Sequence, residues 1–380
     1  MYTHITELNL NKMINSDIEK FIIKKYTFNN SEYKIVKYNK EVLSKYKDNI
    51  DEFNFMSKYR SVILQNNKVI CYSPSKSIDY DMFVEKYNIH DSWVEDFIDG
   101  TMINVFYDKI NKTWEIATKS TVGGNISFFN DNKNFDYFLS DKNVNNDNNN
   151  DNNDNNDNNV TFRSMFFEAC NLNNFNLNTL DINYTYTFIL QHPLNRIVAP
   201  ISVPSIYLIK IYEIDNIIQE SKVIIKELNL QNFISSSPYI FLNTGVKFIN
   251  KYAINDNFET VKNYYTSSEI PYYCVGCMLY NSDGTRSKLR NNNYEIVRKL
   301  RGNQPKLQYN YLCLKQENKI KDFLYYYPEH SFIFNTFKNK TFEYTNQLFM
   351  NYISCFIRKE KPLKDYEFQF KNHMYKLHEK

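Results

Sequence analysis

Phe97-Ile98-Asp99-Gly100-Thr101-Met102-Ile103-Asn104-Val105-Phe106-Tyr107 reads as a turn opening into a strand. Asp-Gly is a turn pair because glycine reaches backbone conformations that a Cβ forbids. The residues after it are largely β-branched or aromatic and suit a pleated, half-buried surface. Trp114-Glu115-Ile116-Ala117-Thr118 follows across a polar turn, so the two runs should pair as a hairpin. Upstream, Ser61–Gln65 and Lys68–Tyr72 flank Asn66-Asn67, a second hairpin signal because Asn tolerates positive φ. Downstream, Phe162, Met165, Phe166, Ala169 and Cys170 recur at helical spacing. Strands are expected at Tyr186–Gln191, Ile206–Ile214 and Tyr272–Tyr280, with Gly245 and Pro271 in connections. Strand runs with few helices between them point to an antiparallel α+β domain.

Beyond about residue 300 the texture changes. Ile320–Tyr327 and Thr345–Arg358 are helical in pattern, and in the second Leu348, Tyr352 and Phe356 share a face. Pro362 ends that stretch, and Phe368–Leu377 is a last amphipathic segment. The expected division is therefore a domain over 1–300 and a small helical domain over 301–380. Residues 143–159 are almost entirely Asn and Asp, with no apolar side chain but Val144. Such a tract cannot offset its ordering entropy by burial, and is expected to be a solvated, disordered insert.

Composition narrows the function classes. The chain has 380 residues, 42% of them hydrophobic, so it can bury a full core. A formal charge of +3 is too small to argue for a nucleic-acid partner, which needs clustered charge. Met1–Asn15 lacks the pattern of a signal peptide, and no apolar run reaches the roughly 20 residues of a membrane helix. A soluble, intracellular protein with reduced thiols is expected. Cys274 and Cys277 form a CxxC, but Cys313 and Cys355 are isolated and His330 and His373 are unpaired in pattern, so no zinc site is expected.

Five stretches carry the functional reading. Lys58-Tyr59-Arg60-Ser61-Val62-Ile63 is followed by Tyr72-Ser73-Pro74-Ser75-Lys76-Ser77; then come the Phe97–Tyr107 run and Trp114–Ser120, which ends in Lys119. Next is Tyr186-Thr187-Phe188-Ile189-Leu190-Gln191-His192-Pro193-Leu194-Asn195-Arg196-Ile197-Val198. The last runs from Tyr273-Cys274-Val275-Gly276-Cys277 to Ser287-Lys288-Leu289-Arg290 and Tyr294. In this order, over roughly residues 55 to 300, they resemble the nucleotidyltransferase domain of the phage-type (T-even) RNA ligases. The pattern also resembles ligase-like proteins of giant DNA viruses, which would place the protein in host cytoplasm or a virion.

That resemblance implies an adenylation fold with ATP and Mg²⁺ as the cofactors, if any, and RNA as the partner. It assigns the nucleotide or phosphates to Arg60, Lys76, Asp99, Gly100, Lys119, Arg196, Lys288 and Arg290. It also exposes three departures. Phe97 stands where the family has the lysine that attacks ATP, and a phenyl ring has no lone pair for that bond. Ile189 and Val275 stand where the family has glutamates, and neither can bind a hard cation. The cations persist while the nucleophile and carboxylates do not. Three readings stay open: a ligase-fold module that binds RNA or nucleotide, an ATP-dependent RNA ligase using a relocated lysine (Lys119 or Lys76), and a structural or virion scaffold. Arg298, Lys299, Arg301 and Lys306, interleaved with Tyr294, add a basic stretch suited to a nucleic-acid backbone.

Overall fold

The computed structural model describes residues 2–46, 49–126, 160–217, 221–304 and 306–379. The Asn/Asp tract at 143–159 lies outside them. The chain divides into two compact units, Met1–Lys299 and Leu300–Lys380.

The first unit is α+β and carries fifteen described strands: β1 Tyr2–Asn9, β2 Phe21–Phe28, β3 Ser31–Tyr38, β4 Val62–Gln65, β5 Lys68–Cys71, β6 Ser92–Asp96, β7 Thr101–Asp108, β8 Thr113–Ala117, β9 Tyr184–Gln191, β10 Ser205–Ile217, β11 Lys222–Leu228, β12 Lys247–Phe248, β13 Lys251–Ala253, β14 Gly276–Asn281 and β15 Arg286–Arg290. They form three sheets. The largest runs β1-β11-β10-β9-β7-β8, with β12 added to β10; the others run β13-β6-β14-β15 and β2-β3-β4-β5. Among these described strands every strand-to-strand pairing is antiparallel except the short β12–β10 contact.

Alternation along the strands explains how the large sheet packs. Ile103 and Val105 of β7 and Tyr186, Phe188 and Leu190 of β9 point to one core, where helix Phe162–Leu172 adds Met165, Phe166, Ala169 and Cys170. That helix opens on a capping box between Thr161 and Ser164. Met102, Asn104, Thr187 and Ile189 take the opposite face by the same alternation. A second core joins β1, β11 and the two smaller sheets through Leu8, Val36, Val62, Ile225, Cys277 and Leu279. Between β7 and the β2-β3-β4-β5 sheet lies a buried carboxylate, Asp108. It accepts from Ser31 (2.8 Å), Tyr33 (2.5 Å) and Gln65 (3.1 Å). Burial would raise its pKa, but these donors outweigh burial and hold it at about 2.

The hairpin turn at Asn66-Asn67 is as expected, with φ of 50° and 60°. The strand expected over Tyr272–Tyr280 is shorter and starts later, at Gly276. Pro271 opens a tight turn there, its carbonyl accepting from the Cys274 amide at 3.0 Å. Gly276 then takes φ +122°, and a Cβ on it would lie 2.1 Å from the Leu289 carbonyl. Cys274 therefore sits in the turn and only Cys277 is on the strand, and both are free thiols.

The second unit is helical, with described helices Leu307–Gln316, Ile320–Tyr326, Ser331–Tyr352 and Phe368–His378. Its core gathers Tyr311, Leu314, Phe323, Tyr327 and Phe334, with Phe323 stacked on Phe334 at 4.8 Å. The helix expected at Thr345–Arg358 is the C-terminal part of a longer one, which widens to a π turn over Ile353–Ile357.

Candidate functional site

The residues singled out in the sequence divide into two neighbouring structures, a closed turn and a cationic wall. The turn is built on Asp99 and Gly100. Gly100 has φ +156°, and a Cβ there would lie 2.5 Å from the Leu190 carbonyl and 2.6 Å from the Ile189 side chain. The close approach of β9 therefore requires glycine. Asp99 is buried, with every contact a donor. Its Oδ2 accepts from the backbone amides of Val198 (3.0 Å) and Ala199 (2.9 Å), and its Oδ1 accepts from the Tyr294 hydroxyl at 2.8 Å. Gln191 donates to the Asp99 carbonyl at 2.8 Å, and Asn195 donates to the Thr101 hydroxyl at 2.8 Å. Arg196 donates through Nε and Nη2 to the Val198 carbonyl, at 3.1 and 3.0 Å, and so shapes the loop that reaches Asp99. The Asp-Gly turn and the Pro-x-Asn-Arg-Ile-Val segment, about ninety residues apart, thus form one hydrogen-bonded unit.

The wall brings together Arg60, Lys76, Lys119, Lys288 and Arg290. Lys288 and Arg290 alternate on β15 and are both half-buried, with the buried Ser287 and Leu289 taking the other face. Burial pulls the Lys288 amine down to about 8, helped by repulsion from Arg290, Lys76, Arg298 and Arg60. Lys119 extends past the end of β8 with its amine 5.1 Å from the Tyr38 ring. Burial of that amine, then repulsion from Arg60, Lys37 and Lys76, brings it to about 8 as well. Arg60 is pulled down to about 10, by burial first and by Arg286 second, and so stays charged at neutral pH. It donates to the Pro74 carbonyl at 3.4 Å, while the Lys76 amine donates to the Ser77 carbonyl at 2.6 Å. Arg290 pairs with Glu295 at 2.8 Å, and Arg298 shares that carboxylate at 3.1 Å.

Phe97 lies at the seam. Its ring sits half-buried with the Arg290 guanidinium 5.8 Å from its centroid. It also lines a cleft of about 410 Å³ with Tyr264, Tyr265, Tyr273, Gln191 and Val275. That volume is in the range of pockets that hold a small ligand, and its aromatic walls suit a planar ring.

Sequence reasoning missed Arg286, which alternates with Lys288 and Arg290 and was legible from that spacing. It also missed Tyr294 as the partner of Asp99, and the tyrosines at 264 and 265, which carry no spacing signal. The residues present do not fit a magnesium site: Ile189 and Val275 are apolar, and both Asp99 oxygens already accept protein donors. Among the described residues no three of His, Cys, Asp and Glu gather to hold a metal ion. No helix of the described residues is long and apolar enough to cross a membrane. No protein-family profile matches the chain. No curated protein matches it.

Proposed function

We propose that the first unit is a nucleotidyltransferase-fold module that binds RNA or a nucleotide through its phosphates, and that it does not form a lysine adenylate at the usual position. One observation carries the reading: Arg60 and Lys76 each add, after burial, to the lowered pKa of both Lys119 and Lys288, so the two lysines share the same cationic neighbours. Clustered cations, with Arg60 and Lys288 half-buried and the Lys119 side chain exposed, are costly in the empty state, and a phosphate chain relieves that cost. The aromatic cleft beside Phe97 would take a base, as stacking platforms do in single-strand binders. ATP could enter on the same terms, through its phosphates, without magnesium held by the protein.

A second reading has its own support. An amine held at about 8 is partly neutral near pH 7.5, so Lys119 retains the form a nucleophile needs. That would make the protein an ATP-dependent RNA ligase with a relocated lysine. Labelling separates the two. The protein is incubated with α-³²P-ATP and Mg²⁺, denatured, and the chain examined for label. The binding module stays unlabelled; a labelled band abolished by Lys119→Ala or Lys76→Ala would establish the enzyme. The binding reading itself fails if neither single-stranded RNA nor ATP binds at low salt.

A further inference from the structure

A separate cavity of about 240 Å³ has Lys76 in its lining together with Lys58, Lys86 and Arg286. Its construction is specific. Strand β1 supplies His4 and Glu7, the end of helix Ile50–Ser57 leads into Lys58, and the tip of the β14–β15 hairpin supplies Asp283 and Gly284. The hairpin tip closes on the His4 ring only because residue 284 is glycine. It has φ +80°, and a Cβ would fall 2.1 Å from His4 Cδ2.

The lining is charged and unbalanced. Four cations face two carboxylates, Glu7 and Asp283. Asp283 already accepts from the Tyr87 hydroxyl (2.6 Å) and the Thr285 amide (2.8 Å). Burial pushes His4 below its ordinary pKa, so it adds no charge at neutral pH. Arg286 is fixed by hydrogen bonds to the carbonyls of Ser75 (2.7 Å) and Pro74 (3.2 Å) and to the Tyr280 hydroxyl (3.4 Å). It therefore contributes charge from a set position. The Lys58 amine gives one bond to the Glu7 carbonyl, at 3.1 Å, which leaves two of its three N–H groups for a ligand. Burial also lowers the pKa of Lys58, and an anion would reverse that shift. The excess of two positive charges matches a dianion. The volume of 240 Å³ equals about eight waters of liquid, enough for a phosphate group and its hydration but tight for a nucleotide.

We infer that this cavity binds a phosphate monoester dianion, supplied by the terminal phosphate of a strand whose backbone lies on the cationic wall. Lys76, common to cavity and wall, joins the two. The inference rests on the wall being a phosphate site, and its test separates the two failures. One RNA sequence is prepared without terminal phosphate, with a 5′-phosphate and with a 3′-phosphate. Binding is measured to the wild type and to Lys58→Met/Lys86→Met, with inorganic phosphate titrated alongside. A phosphate at one end should raise affinity roughly tenfold, worth about 1.4 kcal/mol. The double variant should lose that increment while binding the unphosphorylated strand as well as the wild type does. Lys86→Met alone, at an exposed side chain, gives the same readout if the double variant does not fold. Equal affinity for all three RNAs, or an increment that survives in the variants, overturns the inference and leaves the wall standing. Failure of the unphosphorylated strand to bind sinks the reading of the wall instead. If inorganic phosphate then binds the wild type and not the variant, the cavity serves free phosphate and not an RNA end.

Discussion

Asp99 and Lys288 are both charged groups withdrawn from water, and the protein treats them in opposite ways. Asp99 meets three protein donors, so its charge is matched without any ligand. Lys288 meets Arg290, Lys76, Arg298 and Arg60, each of which repels it. A matched buried charge holds a fold together, whereas a cluster of like charges lowers stability until an anion arrives. The contrast separates two jobs that the short motifs run together. The Asp-Gly turn and the loop at 193–199 keep the shape of the site, and the cations give it something to bind.

The largest effect should come from breaking the matched side. Asp99→Ala leaves the Val198 and Ala199 amides and the Tyr294 hydroxyl without an acceptor. Each orphaned buried donor costs about 1–3 kcal/mol, so stability in urea should fall by about 3 kcal/mol or more. A loss below about 1 kcal/mol would mean that the turn is held by other contacts.

Alkali tests the unmatched side. As pH rises through about 8, Lys119 and Lys288 lose their protons. RNA affinity should be flat below pH 7 and fall roughly tenfold by pH 10, the equivalent of one good phosphate contact. Stability should move the other way. Both lysines have lower pKa values folded than unfolded, so the unfolded chain binds more protons between about pH 8 and the ordinary lysine value. The fold therefore gains stability as pH climbs through that window. The difference in melting temperature between the wild type and Lys288→Met should narrow over the same range, and a difference that widens would contradict the repulsion. Acid should reveal the matched type of charge at Asp108. Its folded pKa of about 2 lies below the unfolded value, so its contribution is complete above about pH 4 and is lost as pH falls toward 2. Asp108→Asn should flatten that acid limb. The smallest effect concerns metal. Replacing Mg²⁺ by EDTA at constant ionic strength should leave RNA affinity within about threefold, less than 1 kcal/mol. A larger loss would point to oxygen ligands not seen here.

Much of the scaffold was legible. The hairpins at Asn66-Asn67 and after Asp99-Gly100 follow from turn chemistry that acts over a few residues. The wall was legible in part, because alternation alone places Lys288 and Arg290 together. What stayed hidden is tertiary. No local rule links Asp99 to Val198 or Tyr294, since those bonds depend on a turn, the loop at 193–199 and the helix Asn292–Arg301 meeting. The net charge of +3 concealed the wall, because repelling cations in one place are offset by carboxylates elsewhere. The strand expected from Tyr272 was overextended because the turn that Pro271 opens runs on to Cys274, and extended pairing begins only at Gly276. Phe97 shows the limit most clearly: its chemistry could be read from one letter, but its place under Arg290 could not.

Binding by the first unit depends most on whether the wall holds phosphates. The direct measurement is the slope of log affinity against log salt for one single-stranded RNA, with wild type and with Lys288→Met/Arg290→Met. Each phosphate contact to a single strand contributes about 0.7 to that slope, so the double variant should be shallower by about 1.4 and weaker at every salt concentration. Parallel lines of equal affinity would contradict it.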